Sequence, residues 1–264
     1  MTEAVHPAVD LGLTGATILI TGGVRGVGAG IAQVLADLGA TPVVCARRPG
    51  DGDFEFHSCD VRDSDAVAAM IADIVAAHGR LDGVVNNAGG SPFALAADAS
   101  DNFSRKIIEL NLLAPLIVAR AAHAVMTRQD GGGSIVNVSS VSGHRPSPGT
   151  AAYGAAKAGL DNLTESLAVE WAPAVRVNSV VCGPVETELS HLHYGDDDGV
   201  AAVGETIPMG RLARPADIGS AVAYLLSPVA GFVTGSTVTV HGGGERPAFL
   251  AAANVDHGAP AHQS

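Results

Sequence analysis

A chain of 264 residues that is 47% hydrophobic and 16% charged can bury a sizeable α/β core, and this composition excludes wholesale disorder. A net charge of −12 argues against non-specific binding to nucleic acid or to an anionic membrane, since both want a basic surface. The three cysteines, Cys45, Cys59 and Cys182, are scattered and odd in number, which excludes a disulfide framework or metal spacing and points to a reducing, cytoplasmic compartment.

Met1 to Gly15 read as a polar lead-in, without the basic and apolar regions of a signal peptide. No run reaches about eighteen apolar residues, so no transmembrane helix is expected. The β-branched run Ala16–Ile20 predicts a first strand. It flows into Thr21-Gly22-Gly23-Val24-Arg25-Gly26-Val27-Gly28, then into a helix from Ala29 to Leu38 that stops at Gly39. Pro42–Ala46 predicts the second strand. Strand, glycine turn, helix and strand make a βαβ unit, which implies a parallel sheet and a right-handed crossover.

Phe54–Ser58 predicts a third strand, ending at Cys59-Asp60-Val61, and Asp63 or Ser64 can cap a helix through Ala77. Leu81–Val85 predicts the fourth strand, followed by Asn86-Asn87-Ala88-Gly89. Asp101 to about Arg128 reads as one long helix, bent by Pro115. After Gly131-Gly132-Gly133, the apolar run Ser134–Val138 predicts a buried fifth strand leading to Ser140. A helix over Ala151–Ala172, a sixth strand over Val175–Val181, a helix over Ala216–Leu226 and a seventh strand over Thr237–Val240 complete the pattern. The long connection from Gly183 to Arg214 has few apolar residues and reads as a lid. The predicted fold is α/β, a single Rossmann-type, doubly wound, parallel seven-stranded sheet with helices on both faces. One domain is expected, with its core over 13–244, a substrate lid over 184–214 and a C-terminal tail over 245–264.

Gly22, Gly26 and Gly28 stand between a strand and a helix, where bare backbone amides can face a pyrophosphate. A turn that needs positive φ would look similar by itself; the βαβ context raises the weight of nucleotide binding. The end of the second strand is Ala46-Arg47-Arg48, with no acid before Asp51. A carboxylate there would bind a ribose 2′-hydroxyl, whereas arginines suit a 2′-phosphate. With Arg25 in the turn, the expected cofactor is NADP(H), with Arg47 its main contact and NAD the alternative. Tyr153 and Lys157 lie four apart, hence one helical turn apart on one face. An ammonium beside the phenol would lower the tyrosine pKa from about 10 and make it a proton donor or acceptor near neutral pH. Taken alone, the pair also fits an ordinary amphipathic surface.

Thr21 to Gly28, Asp60-Val61, Asn86-Asn87-Ala88-Gly89, Asn111, Ser140, Tyr153-x-x-x-Lys157, Gly183 and Thr187 together resemble the short-chain dehydrogenase/reductase family, along about Leu13 to Gly244. The resemblance implies an NAD(P)-dependent oxidoreductase with the catalytic set Asn111, Ser140, Tyr153 and Lys157. Tyr153 would exchange a proton with the substrate oxygen while hydride passes to or from the nicotinamide. Ser140 would hydrogen-bond that oxygen. Lys157 would depress the Tyr153 pKa and hold the nicotinamide ribose, and Asn111 would position a relaying water. The same resemblance places Thr21, Gly22, Gly23, Arg25, Gly26, Val27 and Gly28 around the cofactor. Asp60 and the Val61 backbone would bind adenine, and Asn87, Ala88 and Gly89 the adenosine ribose side. Gly183, Pro184, Val185 and Thr187 would lie on the nicotinamide side, with Thr187 on the amide. A homotetramer, or a homodimer, is implied as well.

One departure stands out. The family usually has proline then glycine after the sixth strand; here Cys182-Gly183-Pro184 stands there. Cys182 reads as a buried thiol, either inert or near the reacting centre. Selection of a small carbonyl or alcohol substrate would come from His144, Arg145 and Pro146, from Gly90 to Phe93, and from the lid. Leu189, Leu192, Ile207 and Met209 would cover an apolar substrate. His191 and His193 lack a third ligand at suitable spacing, so no metal is expected. The leading expectation is an NADPH-dependent reductase of a ketone or 3-oxoacyl group. An NAD-dependent secondary-alcohol dehydrogenase and a non-catalytic nucleotide-binding regulator are the alternatives.

Overall fold

Seven runs rich in Val, Ile and Thr become the strands of one sheet in the computed structural model, which describes residues 10–254. They are β1 (Thr17–Thr21), β2 (Thr41–Ala46), β3 (Glu55–Ser58), β4 (Gly83–Asn86), β5 (Gly133–Ser140), β6 (Val175–Cys182) and β7 (Thr237–Val240). Every neighbouring pair is parallel, in the order β3-β2-β1-β4-β5-β6-β7. The winding reverses between β1 and β4, and at such a switch point the strand ends open into a ligand crevice.

The two-residue strand period feeds two cores. Leu19, Val43, Val84 and Ile135 face one layer, built with Ile71 and Ile74 of α2 (Ser64–His78), Val118 and Ala122, and Leu167. Ile18, Ile20, Val44, Val85 and Val136 face the other, built with Ile31 and Leu35 of α1 (Gly26–Asp37), and with Ile218 and Val222. Helices therefore cover both faces, as the doubly wound reading requires. Helix α1 starts three residues before the expected Ala29, because the last glycines of the turn already form its first turn.

The expected long helix is broken. It consists of α3 (Asp101–Ile108), a π-turn over Glu109–Leu113, and α4 (Ala114–Met126), with Pro115 in the first turn of α4. Proline has no N–H to return to the carbonyl of Asn111, so the ladder widens there rather than simply bending. Asp101–Met126 is long and apolar enough to cross a membrane by length and composition alone. Ala114, Val118, Ala119, Ala122 and Met126 are buried in the sheet-facing core, so this is a core segment. Helix α5 (Ala151–Trp171) follows β5.

The predicted lid contains two helices, α6 (His191–Tyr194) and α7 (Asp197–Thr206), before α8 (Pro215–Leu226). The tail carries a short α9 (Ala248–Ala252). The remainder of the expected tail, 255–264, and lead-in residues 1–9 lie outside the described residues.

Candidate active site

The glycine turn is held from two sides. Gly22 takes φ +65°, and its N–H donates to the Cys45 carbonyl of β2 at 2.7 Å. Thr21 Oγ1 accepts from the backbone N–H groups of Asn87 and Ala88, each at 3.0 Å. Asn87 Nδ2 donates to the carbonyls of Thr21 and Gly22 at 2.9 and 3.1 Å. These two side chains brace the turn against the end of β4. A Cβ on Gly28 would lie 2.3 Å from the Gly22 carbonyl oxygen and 2.5 Å from Asn87 Nδ2, so α1 can approach the turn only because this position is glycine. Gly23, Gly26 and Val27 lie in the same turn, and exposed Arg25 is the N-cap of α1. The amides of the first helical turn there form a seat for an anion.

Arg47 and Arg48 follow β2 directly, are exposed, and form no ion pair among the described residues. Their loop packs over the cradle: a Cβ on Gly50 would lie 2.6 Å from the Val24 carbonyl oxygen. Asp60 is already engaged, a contact missed in the sequence reading. Arg62 Nε and Nη2 donate to its carboxylate at 2.9 and 2.6 Å. That fork holds the Asp60 carboxyl down to about 2, with Arg47 adding its charge. An Asp-x-Arg pair at a strand end carries no distinctive sequence signal. Val61 beside it is buried.

Asn111, Ser140, Tyr153 and Lys157 converge at the carboxyl ends of β4, β5 and β6. Ser140 ends β5, opposite Cys182 in the β6 register, and its Oγ accepts from the Ser142 N–H at 3.2 Å. Tyr153 and Lys157 occupy the first two turns of α5. Lys157 is 3% exposed; its Nζ donates to the Val138 carbonyl at 2.8 Å and lies 5.7 Å from the Tyr153 ring centroid. Asn111 is fully buried in the π-turn. Its Oδ1 accepts from the Gly90 N–H at 2.8 Å, and its Nδ2 donates to the carbonyls of Gly90 and Ile107 at 3.0 and 2.9 Å. Gly89 separates the two: a Cβ there would lie 2.6 Å from Asn111 Oδ1 and 3.5 Å from Lys157 Nζ.

The electrostatics correct one expectation. Burial pushes the Tyr153 phenol up to about 12, against the lowering effect of the Ser140 hydroxyl. Burial brings Lys157 down to about 8, opposed by Cys182 and Asp161. Burial outweighs any lowering of the phenol here, with the ammonium donating to a backbone carbonyl while its nitrogen lies over the ring. Cys182 is buried among these groups, and burial raises its thiol to about 12.

The lid begins across the cradle. The Ala213 N–H donates to the Pro184 carbonyl at 3.0 Å, and Val185 pairs with Ala213 as an isolated parallel bridge. Gly183 packs against His241, where a Cβ would lie 2.8 Å away. The Thr187 N–H donates to Ser190 Oγ at 2.8 Å, and the Thr187 methyl would lie 3.5 Å from a Cβ on Gly26. Of the apolar residues expected to cover substrate, Ile207 is instead 2% exposed and packs beneath Gly242. Leu192 and Met209 are exposed. Arg145 pairs with Glu245 at 2.5 Å, tying the loop after Ser140 to the chain beyond β7.

The chain matches, over residues 22–245, the family described as enoyl-(acyl carrier protein) reductase. It is 33% identical to human dehydrogenase/reductase SDR family member 4, over 85% of this chain and 86% of that one. It is 35% identical to the 3-oxoacyl-[acyl-carrier-protein] reductase of Vibrio harveyi, over 88% of this chain and 98% of that one. Ligand-free aldohexose dehydrogenase from Thermoplasma acidophilum superposes with a TM-score of 0.83 at 32% identity, covering 88% of this chain and 94% of that one.

Proposed function

Because the chain belongs to the short-chain dehydrogenase/reductase family, we propose that this oxidoreductase moves hydride between NADP(H) and a carbonyl or secondary-alcohol substrate, working as a reductase of a ketone or 3-oxoacyl group. One observation carries the reading: Ser140, Tyr153, Lys157 and Asn111 meet beside a glycine turn packed so closely against α1 that a Cβ on Gly28 would strike the Gly22 carbonyl. The cradle and the N-terminus of α1 fit a pyrophosphate. Arg25, Arg47 and Arg48 fit a 2′-phosphate, being exposed cations on an acidic chain. Asp60, Val61, Asn87, Ala88 and Gly89 would hold the adenosine side, and Gly183, Pro184, Val185 and Thr187 the nicotinamide side. The bound cofactor supplies the hydride.

The residues of this chain handle the oxygen. Ser140 donates to the substrate oxygen and stabilises the charge that develops on it. Tyr153, protonated at neutral pH, would donate its proton to the substrate oxygen in the direction of reduction. Lys157, at about 8, is mostly ammonium at pH 7 and stabilises the phenolate left behind. Asn111 holds the backbone at Gly90 and would position a water that relays protons to Lys157. The reading includes a cytoplasmic enzyme, from its three unpaired, buried thiols. It includes a homotetramer or homodimer joined near α4 and α5, where Leu113 and Val169 are 45% and 83% exposed; a monomer in sedimentation would contradict that.

The test is a carbonyl panel run with NADPH and with NADH, followed by cofactor absorbance. Tyr153→Phe is expected to lose about 100-fold or more in turnover while binding cofactor within a few-fold of wild type. Wild-type turnover by that variant would refute the catalytic reading and favour a nucleotide-binding regulator. Preferential oxidation of secondary alcohols with NAD would favour the dehydrogenase alternative.

A further inference from the structure

Asp161 is a carboxylate that the reading above leaves unused. It lies on α5 four residues beyond Lys157, one turn deeper, and is 8% exposed. Buried carboxylates are costly unless fully partnered, and this one collects donors from three other parts of the chain. Its Oδ1 accepts from Ser179 Oγ of β6 at 2.7 Å. Its Oδ2 accepts from Ser139 Oγ of β5 at 2.9 Å and from His144 Nε2, in the loop after Ser140, at 3.0 Å. His144 closes the outer side, with half of its side chain in solvent.

The partners are those that fix the reacting groups. Ser139 precedes Ser140 on β5, and its Oγ also approaches the Lys157 carbonyl at 3.4 Å. Ser179 lies on the strand that runs on to Cys182 and Gly183. One carboxylate thus joins the strand end that carries Ser140, the helix that carries Tyr153 and Lys157, and the strand that leads into the lid. Of the groups packed around it, Ser139 and Ser179 are neutral, His144 is the outer titratable group, and Lys157 is the inner cation, itself flanked by Tyr153 and Cys182.

We propose that Asp161 is a positioning residue for the reaction: it clamps Ser140 against the Tyr153–Lys157 helix, and its negative charge, one turn from the lysine, favours the ammonium form in a buried site. The inference rests on the reading of Tyr153 and Lys157 as the proton-transfer pair. Both parts follow from geometry, and the charge effect agrees with the direction in which Asp161 moves Lys157.

The experiment is the pH profile of kcat for carbonyl reduction, with cofactor affinity measured alongside. Wild type is expected to lose activity as pH rises through about 8, where Lys157 gives up its proton. Asp161→Asn keeps the shape and removes the charge. It is expected to move that alkaline limb down by about one pH unit, to lower kcat about tenfold at pH 7.5, and to leave cofactor affinity within threefold. A purely structural role would not move the limb. Ser179→Ala removes one donor but keeps the charge; it is expected to lower kcat about threefold with the limb in place. An unmoved limb with kcat within twofold in Asp161→Asn overturns the proposal. If that variant does not fold, Ser179→Ala decides alone, and wild-type kcat there overturns it. Tyr153→Phe is run beside them: turnover by that variant overturns the proton-transfer reading, whereas an inert Tyr153→Phe with wild-type Asp161→Asn overturns only the clamp.

Discussion

Replacing Lys157 by methionine should make the protein more stable at neutral pH while removing its activity. The lysine is buried, and its pKa falls from 10.5 to about 8. At roughly 1.4 kcal/mol per unit, holding the ammonium inside costs about 3 kcal/mol at pH 7. Methionine fills a similar volume without charge, but it leaves the Val138 carbonyl without its 2.8 Å donor, a loss of about 1–2 kcal/mol. Lys157→Met should therefore gain about 1–2 kcal/mol at pH 7. The pH dependence separates this from a general packing effect. Between about 8 and 10.5 the unfolded chain keeps the lysine proton and the folded chain does not, so the lysine's own contribution to wild-type stability rises with pH across that window, while the raised thiols of Cys45, Cys59 and Cys182 act in the opposite direction above about 9 in both proteins and cancel in the comparison. By about pH 9.5 the wild type recovers about 2 kcal/mol, and the advantage of the variant disappears. Measurement should stop there, because Tyr153, with its pKa raised from 10.0 to about 12, loses stability in the opposite direction as pH rises between those values. Urea unfolding at pH 7 and 9.5, followed by circular dichroism, reads both quantities. A variant that is less stable at pH 7, or whose stability changes with pH in parallel with wild type, would refute the reasoning.

Gly28→Ala places a methyl 2.3 Å from the Gly22 carbonyl oxygen, so the cradle must open. Overpacking of this kind costs about 1–3 kcal/mol, and cofactor affinity is expected to fall tenfold or more by calorimetry, with a loss under twofold counting against the cradle. Arg47→Ala removes an exposed guanidinium beside the turn that forms no ion pair among the described residues. It should weaken NADPH about 10- to 100-fold and NADH by less than threefold, and equal losses would sink the 2′-phosphate assignment.

Where backbone pattern alone decides, the chain is legible. The runs around Leu19, Val43, Val84 and Ile135 alternate between two buried faces, which only a sheet covered on both sides can satisfy. Cys182 shows the next level: its place after the sixth strand was readable, but its position opposite Ser140 is a matter of register. Pro115 announced a disturbed helix, yet whether the missing N–H yields a bend or a π-turn depends on how Asn111 is gripped by Gly90, twenty-one residues away. The lid helix α6 is four residues long, too short for a helical repeat to show in the sequence.

Charge is where spacing misleads most. Tyr153 and Lys157 share a helix face, as four-residue spacing dictates, but spacing does not say whether the ammonium meets the phenol oxygen or the ring. Burial then moves both groups toward their neutral forms, a consequence of solvent exclusion that no pair of letters contains. Asp161 is the sharpest case. In sequence it is one acid among the polar residues of α5, and its donors Ser139, His144 and Ser179 come from a strand end, a loop and another strand. A catalytic tyrosine and lysine can be read from a motif because the motif is local. The carboxylate that holds them in register acts across the sheet, so only the assembled fold exposes it.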